Sequence, residues 1–380
     1  MCDVLHVAIK MLFGDRAKYL TLVLGLAFAT LLINQQASFF LGLLVRATGP
    51  LQNVGQPDLW VLDPYTKWSA EYRPLEDRAL DRVRSVPGVR WAEPFFNSFG
   101  NIEMPDGSFQ RCQLIGLPRS SLIGRPPEMV EGSLDDLRSP DAVVIEESAR
   151  AKLNNPKIGD TLKLNDRRAV IVGFCRAKKG FESNAVLYTT FDNAVQYTPT
   201  GRERISYVLV KAQDPSRVGE IRETINAMGG LKALTSEEFV QRTILWVLAE
   251  TGIGINFGIT IVLGFVVGVA LSGAIFYQFT NENLKYFAVL KALGARSRTL
   301  VAMVLLQAFV AALIGYGIGI GVTAIFSLSI ATNPSSELNP VVPWQLLAGS
   351  GGAMLLCVLL ASAFSLRRVI TVSPARVFSS

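Results

Sequence analysis

The chain has 380 residues, of which 50% are hydrophobic and 18% are charged, and its formal net charge is +6. This composition is too apolar for an ordinary soluble enzyme and favours a few membrane spans joined to a water-facing domain. The single histidine and the four cysteines, which lack C-x-x-C spacing, predict no metal site. The basic charge does not indicate nucleic-acid binding, because the most informative Lys and Arg residues flank the apolar runs, where they mark the cytoplasmic side of a membrane.

The N-terminal segment, residues 1–18, carries apolar residues on one helical face. It is predicted to lie on the cytoplasmic membrane surface, or to extend the first span. That span is predicted for residues 19–45, which contain no charged side chain. Asn34, Gln35, Gln36 and Ser38 interrupt its apolar run, and they would face another helix, the water interface or a substrate path.

Residues 46–250 form a predicted extracytoplasmic domain that holds most of the charge. Two β-α-β units are predicted near its ends, and such units can share one ferredoxin-like sheet. Their strands are predicted at residues 58–63, 88–96, 205–212 and 231–234, and their helices at residues 75–85 and 216–228. The intervening residues, about 98–201, predict a β-rich subdomain with a hairpin of residues 161–164 and 169–175. The predicted fold is therefore an α-helical membrane protein with four transmembrane helices and a large α+β domain.

Three further spans are predicted, at residues 251–280, 299–330 and 344–366, with a short outer loop at 331–343. Thr235 and Glu238 fit a capping box, and the helix at 237–250 is predicted to continue into the second span without a flexible linker. Glycines spaced four apart in the spans predict close helix packing, although glycine is also simply commoner in membrane helices. They are Gly264, Gly268, Gly315, Gly317, Gly319 and Gly321.

Orientation follows from the distribution of Lys and Arg. Three lie in residues 1–18, four in 281–298 and three in the tail at 367–380, whereas the 331–343 loop has none. The positive-inside rule therefore places both termini and the 281–298 segment in the cytoplasm.

The 281–298 segment is itself amphipathic. Leu284, Phe287, Leu290 and Leu293 recur at helical spacing, and Gly294 is expected to end the helix. Physical reasoning leaves two interpretations, a loop that only fixes topology or a short cytoplasmic helix available to a partner.

Several catalytic patterns are absent from the sequence. It contains no G-x-x-x-x-G-K-[ST], G-x-S-x-G or H-E-x-x-H motif. The acidic pairs Asp135-Asp136 and Glu146-Glu147 are interpreted as solvated surface. Cys112 and Cys175 could pair in an oxidising compartment or remain as buried thiols.

The stretch ENLKYFAVLKALGAR resembles the cytoplasmic segment of the FtsX/MacB-type (type VII, mechanotransmission) ABC transporter permeases, where E…(E/F)-x-x-L-(K/R)-A-(L/I/M)-G-A follows the second span. The tail LRRVITVSPARVF resembles the ending of that family. FGIT…LGFVVG and LNDRRAVIVGFCRA resemble its DevC branch.

The resemblance implies a non-catalytic permease subunit in the bacterial inner membrane. A separate ABC ATPase would bind ATP and magnesium, so this chain would bind no cofactor. Its coupling helix would include Glu282, Lys285, Phe287, Leu290, Lys291, Ala292, Leu293, Gly294 and Ala295.

The same resemblance implies an exporter that drives substrate through a membrane-fusion protein towards an outer-membrane duct. Because an ATPase pair needs two docking sites, the permease would be a homodimer or a paralogue heterodimer, which the glycine-spaced faces could serve. The alternatives are an FtsX-like signalling scaffold that activates a cell-wall hydrolase, and a lipoprotein-release permease. The β-rich insertion favours the exporter.

Overall fold

The computed structural model describes residues 16–71, 73–181, 185–198, 205–333, 336 and 339–371. The chain divides into two compact units. The membrane unit comprises Met1–Gly42, Ile253–Asn333 and Leu338–Ser380, and the α/β unit comprises Leu43–Gly252 and Pro334–Glu337. The predictions for residues 1–15 and for the tail beyond 371 lie outside the described residues.

The described helices are numbered in chain order, as are the strands. The helices are α1 (Arg16–Gln52), α2 (Asp77–Arg84), α3 (Phe191–Tyr197), α4 (Val218–Ala227), α5 (Ser236–Glu250), α6 (Ile253–Glu282), α7 (Leu284–Ala292), α8 (Ser297–Ala331) and α9 (Trp344–Thr371). The strands are β1 (Leu59–Leu62), β2 (Val89–Glu103), β3 (Phe109–Leu117), β4 (Glu128–Gly132), β5 (Ala142–Glu146), β6 (Thr161–Leu164), β7 (Arg167–Arg176), β8 (Ala185–Thr190), β9 (Tyr207–Ala212) and β10 (Lys232–Thr235).

Four of the described helices, α1, α6, α8 and α9, are long and apolar enough to cross a membrane. Their positions agree with the four predicted spans, but α1 continues to Gln52, beyond the predicted end at residue 45. The predicted end is Val45, because the charge-free run stops there and the next residue is Arg46. A charged side chain does not break the backbone hydrogen bonds of a helix, so α1 continues past Arg46. Pro50, which has no backbone N–H to donate, lies in its last turn.

One half of the α/β unit is ferredoxin-like, as predicted. Its strands lie in the order β10-β1-β9-β2, and each neighbouring pair is antiparallel. Helix α2 connects β1 to β2, and α4 connects β9 to β10. This is the split β-α-β arrangement, in which each parallel pair is separated by an inserted antiparallel strand.

The predicted β-rich insertion does not form a separate sheet. Strand β2 continues through Glu103 instead of ending at residue 96, so the same sheet extends through β3, β8, β5, β7 and β4. Its first half pairs with β9 and its second half with β3 and β6, so one strand serves both parts. The β6–β7 hairpin is confirmed, and Asn165 and Asp166 form its turn with φ of 44° and 62°.

Trp60 on β1 is the centre of the core that joins this sheet to α5. Its ring lies 5.6 Å from Phe95, 5.6 Å from Tyr207 and 5.9 Å from Phe239, measured between centroids. Its Nε1–H donates to Ser236 Oγ at 3.1 Å, so this buried indole is satisfied.

The predicted capping box begins α5. Thr235 Oγ1 accepts from the Glu238 N–H at 3.1 Å, and the Glu238 carboxylate accepts from the Thr235 N–H at 2.9 Å. The latter bond is the main cause of a lowered Glu238 pKa. The predicted continuation into the membrane is wrong, because α5 ends at Glu250 and Gly252 has φ of +67°, a left-handed conformation that interrupts a helix.

Candidate functional site

Helix α7 is the short helix expected between the second and third spans. Span α6 ends at Glu282, and Asn283 turns the chain by leaving the helical conformation, with φ of −87° and ψ of 8°. The Asn283 side chain donates to the Phe279 carbonyl at 2.8 Å, and the same carbonyl accepts from the Asn283 N–H at 3.1 Å, so Asn283 is bonded twice to the end of α6. Helix α7 therefore follows α6 after a turn of one residue.

A Schellman motif ends α7. Gly294 has φ of +96°, its N–H donates to the Lys291 carbonyl at 3.1 Å, and the Ala295 N–H donates to the Leu290 carbonyl at 2.9 Å. These are the two bonds that define the motif, which requires a left-handed residue at the position of Gly294. The predicted helix stop at Gly294 is confirmed.

One face of α7 is buried against the start of α8. Phe287 and Ala288 are fully buried, and Phe287 packs in a cluster with Leu300, Met303 and Val304. Leu290 and Ala295, at the two ends of the Schellman turn, are partly buried against the same cluster. This packing fixes how α7 lies on α8.

The opposite face carries an exposed apolar stripe, which we define as Tyr286, Val289 and Leu293. Their exposed fractions are 64%, 41% and 81%. Spacings of three and four residues place all three on one side of a helix. The predicted apolar face is therefore divided, because Phe287 is covered by α8 and Leu293 lies just past the last helical residue, where it points away from that cluster.

The polar and small members of the predicted segment also differ in their surroundings. Glu282, Lys285 and Ala292 are exposed, and Glu282 accepts from the Gln278 side chain at 3.2 Å. The Lys291 Nζ donates to the Ile370 carbonyl, in the last turn of α9, at 3.0 Å. The last contact was not predicted, because its partners are 79 residues apart.

Four of the six predicted packing glycines lie in helix contacts within the chain. A methyl group on Gly268 would come within 2.8 Å of Ala29 Cβ, and one on Gly315 within 2.7 Å of Leu26 Cβ. Gly319 faces α1 as closely, whereas a methyl group on Gly264 would lie 3.4 Å from Leu32 Cβ, an ordinary contact. The suggestion that these faces serve a dimer is therefore corrected, because α1 already fills them. Gly317 and Gly321 meet nothing within 4 Å.

Polar side chains also join the spans. Ser350 on α9 donates to Asn34 Oδ1 on α1 at 2.9 Å, and the Tyr316 hydroxyl on α8 donates to the Leu347 carbonyl. Asn34 is fully buried, which favours the helix-facing interpretation of this residue. The sequence shows that Asn34 is a polar residue inside a predicted span, which indicates a polar partner. It does not show that this partner is Ser350 on another span.

These features define a membrane protein with four candidate spans, a short packed helix between the second and third, and a ferredoxin-like α/β unit. The MacB-like periplasmic core domain matches residues 19–228, which is more than half of the chain, and the FtsX-like permease C-terminal domain matches residues 255–374. The chain belongs to the FtsX/MacB-type ABC transporter permeases.

Individual relatives share only about a quarter of their aligned residues with this chain. The chain is similar to the uncharacterized ABC transporter permeases Rv0072 and Rv2563 of Mycobacterium tuberculosis, each 26% identical over 305 residues, covering 80% of this chain and 79% of the relative. Among solved structures, the periplasmic region of MacB from Actinobacillus actinomycetemcomitans is 20% identical, covers 50% of this chain and 94% of its own, and has a TM-score of 0.38. The extracellular domain of YknZ, a noncanonic ABC-type transporter from Gram-positive bacteria, is 14% identical, covers 47% and 99%, and has a TM-score of 0.36.

Proposed function

We propose that this permease is the membrane subunit of an ABC exporter and that a separate ATPase docks on the exposed stripe of α7. The observation that carries the proposal is the stripe itself, three apolar side chains that stay exposed on a helix whose other face is already packed. Buried aromatic and aliphatic anchors supply most of the energy of protein interfaces, and exposed lysines such as Lys285 suit the rim.

In this mechanism, ATP binding draws two ATPase subunits together, and each carries an α7 with it. Because Phe287 packs on α8 and Asn283 bonds to α6, a displacement of α7 moves the cytoplasmic ends of those spans. The α/β unit responds on the other side of the membrane and drives substrate through a membrane-fusion protein towards an outer-membrane duct. The chain itself supplies no phosphate-binding loop, so ATP and magnesium stay on the partner.

Each chain has one α7, whereas an ATPase pair needs two docking sites. The proposal therefore includes a dimer of this chain, or of this chain with a paralogue. Measuring the mass of the purified permease in nanodiscs tests this, and a mass of one chain in the active complex would contradict it.

The orientation in the proposal has both termini and α7 in the cytoplasm and the α/β unit outside the inner membrane. Lys157, in the α/β unit, and Lys285, on α7, are both exposed and suit single cysteine substitutions in a cysteine-free background. An impermeant maleimide applied to intact spheroplasts should label Lys157→Cys and spare Lys285→Cys. The reverse pattern would invert the topology.

Co-purification with the partner ABC ATPase tests the docking proposal. Leu293→Asp should weaken ATPase binding by about 30-fold, because truncating or charging a central interface anchor costs ~2 kcal/mol or more. Leu245→Asp is the matched control, because Leu245 on α5 is 64% exposed and lies in the α/β unit. Equal binding by both variants and the unmodified chain would reject α7 as the docking site.

A further inference from the structure

Helix α7 is held at its N-terminal end and on one face by the contacts already described, to α6 through Asn283 and to α8 through Phe287. Its C-terminal half has a third attachment. The Lys291 Nζ lies 3.0 Å from the carbonyl oxygen of Ile370, and Ile370 is in the last turn of α9. The three spans that follow the α/β unit in the chain are therefore all joined to one nine-residue helix.

The chemistry of the Lys291 contact follows from the residue four positions after Ile370. In an α-helix the N–H of that residue would bond to the Ile370 carbonyl, but residue 374 is proline, which has no N–H. An ammonium group with three N–H donors satisfies such a carbonyl. Lys285, six residues earlier on the same helix, is exposed and has no such neighbour among the described contacts.

We infer that Lys291 is a positioning residue, which ties α7 to the cytoplasmic end of α9 so that the last span moves with the docking helix. The family resemblance implies that Lys291 belongs to the ATPase-coupling segment, but its amine already donates to α9. This inference rests on the proposed function for its role in coupling, while the tie itself belongs to the permease alone.

The tie is measured without any ATPase. Hydrogen exchange of the full chain in nanodiscs should show the amides of α7 and of the last described turn of α9 exchanging about fivefold faster in Lys291→Met, because the bond to the Ile370 carbonyl is worth on the order of 1 kcal/mol. Lys291→Arg, which keeps the charge and the donors, should restore slow exchange. Lys285→Met is the matched control and should exchange as the unmodified chain does. Unchanged exchange in Lys291→Met would overturn the inference.

The coupling role is measured with the ATPase bound. Lys291→Met should bind the ATPase with unchanged affinity and lower the substrate exported per ATP hydrolysed by about fivefold, and Lys291→Arg should recover it. A merely structural loss would weaken binding together with export. Faster exchange with an unchanged export ratio would overturn the positioning role and leave docking on α7 intact.

Loss of ATPase binding in Leu293→Asp but not in Lys291→Met keeps the two proposals separate. Loss of binding in Lys291→Met would instead place that residue in the ATPase interface and reject the inference.

Discussion

A methyl group added to Gly319 would lie 2.6 Å from the Cβ of Thr30, so spans α8 and α1 meet there almost backbone to backbone. The carbonyl of Ala27 lies 2.7 Å from the same position. Neither atom is the end of a flexible side chain, so the contact cannot relax by a rotamer change.

Gly319→Ala should therefore lower the stability of the membrane unit by about 1–3 kcal/mol, the usual cost of overpacking a close contact. Gly321→Ala is the matched control, because a methyl group there meets nothing within 4 Å. The control should be neutral or slightly stabilising, since alanine is the better helix former. Thermal unfolding of the two purified variants compares them directly, and equal melting temperatures would mean that α1 and α8 pack less closely than described.

The sequence predicted the glycine spacing but not which glycines face a neighbour. Spacing of four residues is the same for Gly315 and Gly319 as for Gly317 and Gly321, and only the first pair faces α1. The direction in which a helix face points depends on where the other helices lie, and this information is not local to one span.

The same limit applies to α7. The sequence predicted its position and its stop at Gly294, because helical period and turn chemistry are local signals. It could not predict that α8 would fold back and cover Phe287, since burial depends on packing beyond the turn. The four spans and the ferredoxin-like units were predictable because their signals are local. The strand β2 shared by both parts of the sheet was missed because strand pairing depends on distant residues.

Gly294→Ala should loosen the end of α7. Alanine can be built there without a clash, but its left-handed φ of +96° costs about 1 kcal/mol or more. Gly258→Ala on α6 is the control, because it also meets nothing within 4 Å and lies inside a helix. Hydrogen exchange should rise for the Ala295 amide in Gly294→Ala only, and Gly294→Asn should show a smaller effect since asparagine tolerates this conformation. Slow exchange in Gly294→Ala would contradict the Schellman assignment.

Phe287 and Tyr286 are neighbours in sequence with opposite expected effects. Phe287→Ala removes a fully buried ring from the α7–α8 cluster and should cost about 3 kcal/mol or more of stability. Tyr286→Ala removes a side chain that is 64% exposed, so the melting temperature should hardly change while ATPase affinity falls. Thermal unfolding and ATPase binding of both variants give a crossed pattern. A large loss of stability in Tyr286→Ala would show that the stripe packs within the chain and does not serve a partner.

For the two cysteines of the α/β unit, the sequence leaves a disulfide and free thiols equally open. Both Cys112 and Cys175 are free and fully buried. Cys112 Sγ lies 3.3 Å from the Gly100 carbonyl, and burial raises its pKa to about 12. Burial is also the main cause of a raised pKa at Cys175.

A thiol reacts through its thiolate, so Cys112 should be unreactive towards maleimide at pH 8 in the folded chain. An exposed Lys157→Cys in the same chain should react at once, and mass spectrometry of the tryptic peptides separates the two sites.

The raised pKa of Cys112 also fixes the sign of a pH effect on stability. Above the ordinary thiol pKa of about 8.5 and up to about 12, the unfolded state loses the Cys112 proton while the folded state keeps it, so stability should fall as the pH rises through this window. Cys112→Ala should reduce that fall relative to the unmodified chain. Rapid labelling of Cys112 at pH 8, or recovery of a peptide that links it to Cys175, would contradict the buried free thiol.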